Sequence, residues 1–510
     1  MAASPSEDWK AMVAYVTRYR NLGGILGLLE WDQQVCMSGG SAGSRGAQVA
    51  ELSKVRHAAL SDPRCGDLAR AVLGSADADL GPEQPSGSVR AAAARAVLRD
   101  HSRAAAVPAV LVDRAARART AGFTAWNRAR EAGQFHDFAP ALAELTEVAR
   151  AEAACHSVGE HLYDGALEGF DPGARVASLT PMFRRLGTAL VPLVQAARNA
   201  RAPDALALSV PEPAFERLNR HVLDAMGYDF ERGRLDLAAH PFTVGVHPND
   251  VRITTRLLPD APLGTLGATI HEGGHALYEQ GLPVEWFGTG LCRAAGAGLH
   301  ESQSRFWENQ IGRSRAFFRW LCPAMEEACG HTIDPDALYR SANRIEPTFV
   351  RVEADEATYN LHVIIRYELE LALFEERLSV AELPDAWNAA YAEWLGLDVT
   401  DPRQGVLQDI HWACGLFGYF PSYTIGNLYA AGFGKAIAAD MPDLLDRVEV
   451  GDLAPILRWL RERVHSRGCE VDAPTIFQDA VGDCDPVEAL IQHLYDRQGA
   501  LYGISRPIAD

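Results

Sequence analysis

A chain of 510 residues, 48% hydrophobic and 23% charged, has the composition of a globular protein with material for a large core. Its formal net charge of -19 leaves no dominating basic surface, which argues against nucleic acid or an anionic membrane as partner. Nine cysteines without a CxxC pair are the usage of a reducing compartment. The opening "MAASPSEDWK" has no apolar leader, and no stretch approaches the roughly 18 apolar residues of a membrane span, so the expectation is a cytoplasmic protein.

In chain order, the first 200 residues are rich in Ala, Leu, Arg and Glu, with apolar positions recurring at three and four. "WKAMVAYVTRYRNLGGILGLLEW" and "APALAELTEVARAEAACHSVGEHLY" predict amphipathic helices. The Gly, Pro, Ser and Asp of "LGSADADLGPEQPSGS" (73 to 88) predict a surface loop between helical blocks. Near residue 240 the texture changes. Two short β-branched runs, Thr243 to Val246 and Val251 to Arg256, flank the turn residues "HPND" and predict a small antiparallel ribbon. Helical periodicity returns after residue 300 and continues through "EATYNLHVIIRYELELALFEERL" (356 to 378) to the C-terminus. The chain thus reads as mainly α, one domain with a helical part over about 1–238 and a second part over about 239–510 that opens with a small antiparallel sheet.

The stretch "ATIHEGGHALYEQG" (268 to 281) is helical apart from Gly273 and Gly274, which should cost the helix about 2 kcal/mol between them. Around them, His271, Glu272 and His275 form HEGGH, an instance of HExxH. Positions 271 and 275 of a helix lie about 40° apart around the axis and about 6 Å apart along it, so both imidazoles can reach one ion. Glu272 projects about 100° away from His271, placed to hold a water rather than to ligate. Two neutral nitrogens and a carboxylate that accepts a proton are what metal-assisted hydrolysis needs. An exposed helix carrying the motif by chance would show no apolar flank, yet Leu266, Ile270, Ala276 and Leu277 surround it.

A tetrahedral catalytic metal wants a third protein ligand. "LHESQSRFWEN" (299 to 309) offers Glu301, with His300 as competitor, and the intervening "GLPVEWFGTGLCRAAGAG" (281 to 298), glycine-rich at both ends, lets the chain turn back. Nitrogen and oxygen ligands of this kind suit zinc, and also cobalt or manganese.

At this point the sequence resembles the M32 family of metallocarboxypeptidases, the carboxypeptidase Taq family. Its blocks stand in order as "HPF" (240 to 242), "DVRIT" (250 to 254), "HEGGH" (271 to 275), "HESQ" (300 to 303), "VRVEAD" (350 to 355), "GVLQDIHW" (405 to 412) and "GYFPSYTIGN" (418 to 427). "LLEWDQQVCM" and "RGAQVAELSKVRHAAL" are similar to the family's opening helices, so the resemblance covers nearly the whole chain. It departs in small ways: Val350 stands where isoleucine is usual, and "GTGLCRAAGAG" is a looser approach to His300. The resemblance implies His271, His275 and Glu301 as zinc ligands and Glu272 as general base. It also implies a helical fold with a deep central cleft between the two parts of the chain, similar to neurolysin and angiotensin-converting enzyme, and commonly a homodimer.

An exopeptidase at the C-terminus must bind a free carboxylate, for which a planar guanidinium is suited. Arg351 is the first candidate and Arg252 the second. A developing oxyanion needs a donor besides the metal. Tyr423 is the candidate, with Tyr419, His411 and His240 as further polar contacts, and Asp355 or Glu356 could orient a ligand histidine. A strand of the ribbon packed against the metal helix would explain the glycine pair. The expected function is a zinc-dependent carboxypeptidase acting on short peptides. The rivals are an oligoendopeptidase of similar fold, which needs no carboxylate-binding arginine, and a catalytically silent helical peptide-binding protein, which needs no Glu272.

Overall fold

The computed structural model describes residues 4–80, 84–156 and 158–507. Positions 1–3 of the opening segment, 81–83 of the expected loop and Ser157 of the second quoted helical stretch lie outside the described residues. The chain is mainly helical, as its periodicity predicts. Pro5–Val35 begins at a Ser4 and Glu7 capping box, which satisfies the first free N–H groups from both sides. The loop expected at 73 to 88 falls between the helices Pro63–Gly74 and Gly87–Ala106. The stretch from 139 is divided: one helix ends at His156, and a short one, Leu162–Leu167, follows.

The sheet has three strands in the order β1-β3-β2, with β1 Gly233–Leu237, β2 Thr243–His247 and β3 Asp250–Thr255. β2 and β3 form the expected antiparallel pair, Thr243 opposite Ile253, while β1 runs parallel to β3. The sheet is therefore mixed. "GRLDL" escaped notice because it is only five residues long, although Arg234 to Leu237 alternate polar and apolar as a half-buried strand does. Val251 and Ile253 of β3 are fully buried, and the Thr255 hydroxyl lies 2.9 Å from that of Thr269. That bond fixes the sheet against the helix Pro262–Gly281, which bears HEGGH.

Two apolar cores fill the molecule. One joins Met12 and Val16 to Leu266, Leu277, Phe306 and Phe433; the other joins Trp126, Leu142 and Phe183 to Ile364, Trp387, Phe420 and Leu428. Each draws helices from both sides of residue 238, so the packing bodies interleave along the chain. The helix Pro421–Asp440 contributes Leu428 to one core and Phe433 to the other. At the seam between the cores, Gly426 of this helix leaves room for Glu301: a Cβ there would fall 2.5 Å from Glu301 Cγ.

Candidate metal centre

The glycine pair is explained by two helices, not by the ribbon. A Cβ on Gly273 would fall 2.7 Å from Leu223 Cδ2 and 3.1 Å from Met226 Cε, both on the helix Glu212–Met226. One on Gly274 would fall 2.6 Å from Gln303 O and from Ser304 Cα, backbone atoms of the helix Ala297–Arg305 that carries Glu301. Gly274 thus lets the helix of His271 and His275 touch that of Glu301 at its backbone. The expected approach of a ribbon strand occurs elsewhere on the same helix: Gly245 of β2 leaves room for Glu279, where a Cβ would stand 2.6 Å from Oε2.

That contact brings three side chains together. Glu301 Oε2 lies 3.3 Å from His275 Nε2 and 3.7 Å from His271 Nε2. Among the described residues these form the only trio whose donor atoms all lie within 4.8 Å of one another. Ligands about 2.05 Å from a tetrahedral ion stand about 3.3 Å apart, so the arrangement fits a small divalent cation.

The outer partners fit as well. His271 Nδ1 is 2.9 Å from Glu308 Oε2. His275 Nδ1 is 2.6 Å from His300 Nδ1, and His300 Nε2 is 2.9 Å from Glu279 Oε1. With Nε2 of each ligand histidine free for a metal, Nδ1–H of His271 donates to Glu308, and that of His275 donates to His300, which donates in turn to Glu279. Both imidazoles are thereby held by a carboxylate, directly or through a second ring, with Nε2 left free. His300 stands behind His275 in this chain of bonds.

Glu301 Oε1 accepts from Arg305 Nε at 2.7 Å. Burial opposes the Glu301 charge, but Arg305 and the two histidines overcome it and hold the carboxyl well below its ordinary range. Burial likewise opposes the Glu308 charge, and Arg305 and His271 bring its pKa down to about 2. For His271, burial is outweighed by Glu301 and Glu308, which raise its pKa; for His275, burial and His300 lower it. Glu272 is buried, and the Thr243 hydroxyl of β2 lies 2.7 Å from its Oε2 and 3.0 Å from its backbone oxygen, fixing the carboxylate.

The other core supplies the facing wall. Glu370 accepts from Trp412 Nε1 at 2.7 Å and from Gly418 N at 2.8 Å, clamping both ends of the loop between His411 and Tyr419. His411 Nε2 is 3.0 Å from the Tyr423 hydroxyl, and the rings of Tyr419 and Tyr423 meet edge to face at 5.3 Å. Burial, and then the Glu301 charge, push the Tyr419 phenol up to about 12; burial also raises Tyr423, against the pull of Arg351. Burial and Arg351 lower His411 to about 3, so its imidazole is neutral at neutral pH.

Arg351 is buried above the Tyr423 ring at 4.7 Å. Its Nε and Nη2 donate to Asp409 Oδ1 at 3.1 and 3.0 Å, and Nη1 donates to the Tyr359 hydroxyl at 2.9 Å. Asp409 Oδ2 pairs with Arg366 at 2.7 Å. Arg305 lies over the opposite end of this wall, 4.2 Å from the Tyr359 ring centre.

The remaining sequence candidates lie apart from these contacts. Arg252 is engaged by Asp250 at 2.8 and 3.0 Å and stacks 4.4 Å over Trp31. His240 is exposed at the end of the turn before β2. Asp355 caps its own helix through Ala357 and Thr358, and Glu356 pairs with His493 at 2.9 Å, so neither orients His271 or His275. The carboxylates that do so, Glu308 and Glu279, were legible: 271, 275 and 279 form one stripe, and 301 and 308 stand two turns apart. Asp409, Arg366 and Thr243 left no such signal.

The model of the carboxypeptidase Taq (M32) metallopeptidases matches residues 11–498. The chain is 36% identical to thermostable carboxypeptidase 1 of Thermus thermophilus, over 98% of its own length and 100% of that protein's. It is 40% identical to carboxypeptidase 1 of Bacillus subtilis, over 74% and 77%. The crystal structure of the M32 carboxypeptidase of Deinococcus radiodurans R1 superposes with a TM-score of 0.92 at 34% identity, over 98% of this chain and 100% of that one.

Proposed function

The chain belongs to the carboxypeptidase Taq (M32) family of metallopeptidases, hydrolases acting at peptide C-termini, and on that premise we propose how its own residues carry the reaction. His271, His275 and Glu301 would hold the metal; zinc suits them, as cobalt and manganese do. A divalent ion there supplies Lewis acidity toward a water and a scissile carbonyl. Glu272, steadied by Thr243, accepts the proton of the attacking water and delivers it to the departing amine. Tyr423 donates to the developing oxyanion. With Nε2 protonated, the neutral His411 donates to the phenol oxygen and leaves the Tyr423 proton directed at substrate.

One observation carries the exopeptidase reading. Arg351 and Arg366, both buried, share a single carboxylate, the half-buried Asp409, so the trio keeps one net positive charge beside Tyr423. Three of the five guanidinium N–H groups of Arg351 are engaged, and two remain for a substrate's terminal carboxylate. Arg252, already paired and stacked, is the weaker candidate, and His240 and Tyr419 are secondary contacts to the chain of the substrate. The substrates would be short peptides that enter the seam between the cores, and the protein a cytoplasmic homodimer; among the described residues no helix is long and apolar enough to cross a membrane.

The test is mass spectrometry of an N-acetylated peptide and its C-terminal amide twin, each incubated with metal-loaded protein, with and without chelator, and with Glu272→Gln. Stepwise loss from the free-acid peptide alone, stopped by chelation and by the substitution, is the expected result. Internal cleavage of both peptides would make the protein an endopeptidase and Arg351 a structural ion pair. No cleavage of either would favour the silent peptide-binding reading.

A further inference from the structure

Apart from the metal centre, a cavity of about 240 Å³ is lined mainly by cations: Arg20, Arg56, Arg103 and Arg293 converge there with Tyr19 and Asp100. They come from three N-terminal helices, Pro5–Val35, Ala42–Ser61 and Gly87–Ala106, and from the segment leading to the helix of Glu301. Four guanidiniums face one carboxylate, and that carboxylate is taken: Asp100 pairs with both terminal nitrogens of Arg293 at 2.7 and 2.9 Å. Arg20 donates to the Cys292 carbonyl at 2.8 Å, lies 5.3 Å over the Phe287 ring, and its charge helps to lower the pKa of the Glu279 carboxyl. Among the described residues Arg56 and Arg103 have no hydrogen bond or ion pair to the protein. Glu168, the other carboxylate near Arg103, is engaged by Arg175 at 2.8 Å.

Three further donors are left over at the same place. The Tyr19 hydroxyl, on a side chain 2% exposed, and the Nε groups of Arg20 and Arg56 are buried without a hydrogen-bond partner. Burial and the neighbouring Arg20 lower the pKa of Arg56, as befits a cation held without its anion. In a chain of net charge -19, two guanidiniums without a hydrogen-bonded or ion-paired partner, set beside two more around one small cavity, are not explained by overall composition. The four arginines are half-buried, and a charge drawn partly out of water is stabilised by a counter-charge.

We propose that this cavity binds a small, multiply charged oxyanion of the phosphate class. Its volume admits a small ion or the head of a phosphate ester but no polymer. Planar guanidinium forks match phosphate oxygens two at a time, and a dianion offsets charge that a single chloride would leave. Bound there, the anion ties the three N-terminal helices to the segment before Glu301, through Arg20 and its Cys292 contact.

The experiment is calorimetric titration of inorganic phosphate into metal-loaded and into chelator-treated protein, with ionic strength held constant by sodium chloride. One equivalent should bind in both, because the site does not use the metal. Arg56→Gln and Arg103→Gln should each weaken binding about tenfold, and Arg56→Lys less. Competition by glycerol phosphate would assign an ester as ligand; its failure beside phosphate binding would assign the free ion. Absence of saturable binding, loss of binding on chelation, or wild-type affinity in both glutamine variants would overturn the proposal. Should Arg56→Gln lose its circular dichroism, Arg103→Gln decides alone.

Discussion

Replacing Gly274 by alanine sets helix propensity against packing, and the structure decides which wins. Local propensity alone favours the substitution by about 1 kcal/mol. The new methyl, however, would stand 2.6 Å from Gln303 O and Ser304 Cα, where ordinary contact begins at 3.4 Å. Both are helix backbone atoms and cannot rotate away, so the helices must separate by the better part of an ångström. Overpacking of this kind costs about 1–3 kcal/mol, and contact with rigid backbone puts it toward the upper end, which leaves a net loss of up to about 2 kcal/mol. The movement also carries Glu301 away from His271 and His275, and a misplacement of about 1 Å costs on the order of 100-fold in turnover. Gly273→Ala is the internal control, because its obstacles are the ends of the Leu223 and Met226 side chains, which can shift. Thermal unfolding of both variants with and without chelator, and metal affinity by competition with a chromogenic chelator, separate the effects. Gly274→Ala should melt lower and bind metal more weakly than Gly273→Ala. If it were as stable as wild type with unchanged metal affinity, backbone contact between the two helices would not be the reason for the glycine.

Further outcomes follow from the same geometry. Glu308→Ala, which frees the far side of the His271 ring, should weaken metal binding about 10–100-fold in the same competition assay. With Tyr423 as the proposed oxyanion donor, Tyr423→Phe should lower kcat about 100-fold with little change in KM, because such a bond forms only as the oxyanion develops. Arg351→Gln should raise KM for free-acid peptides and leave the amide twin as poor a substrate as before. For Glu356, burial opposes the charge, yet His493 and Arg497 bring its pKa from 4.5 to about 2. Its folded value lies below its unfolded one, so the stabilisation, roughly 3 kcal/mol, is complete above pH 4.5 and is lost as pH falls toward 2. Glu356→Gln should therefore be less stable at pH 7 and lose less further stability between pH 4.5 and 2, as measured by denaturant unfolding across that range.

The sequence by itself determined the helices, the β2–β3 hairpin and the family, because periodicity, turn residues and ordered motifs are local properties of the chain. HEGGH declared that His271 and His275 share a helix face, since four residues is a fixed rotation whatever surrounds it. What it left open lay between segments distant in the chain. Only the tertiary structure decided that Gly274 meets the backbone at Gln303, that His300 stands behind His275, and that Asp409 joins Arg351 to Arg366. It also set Arg252 against Asp250 and gathered four arginines from three N-terminal helices and one later segment into a single cavity. Spacing fixes which side chains share a face, but which faces meet depends on how two interleaved cores pack, and no local pattern records that.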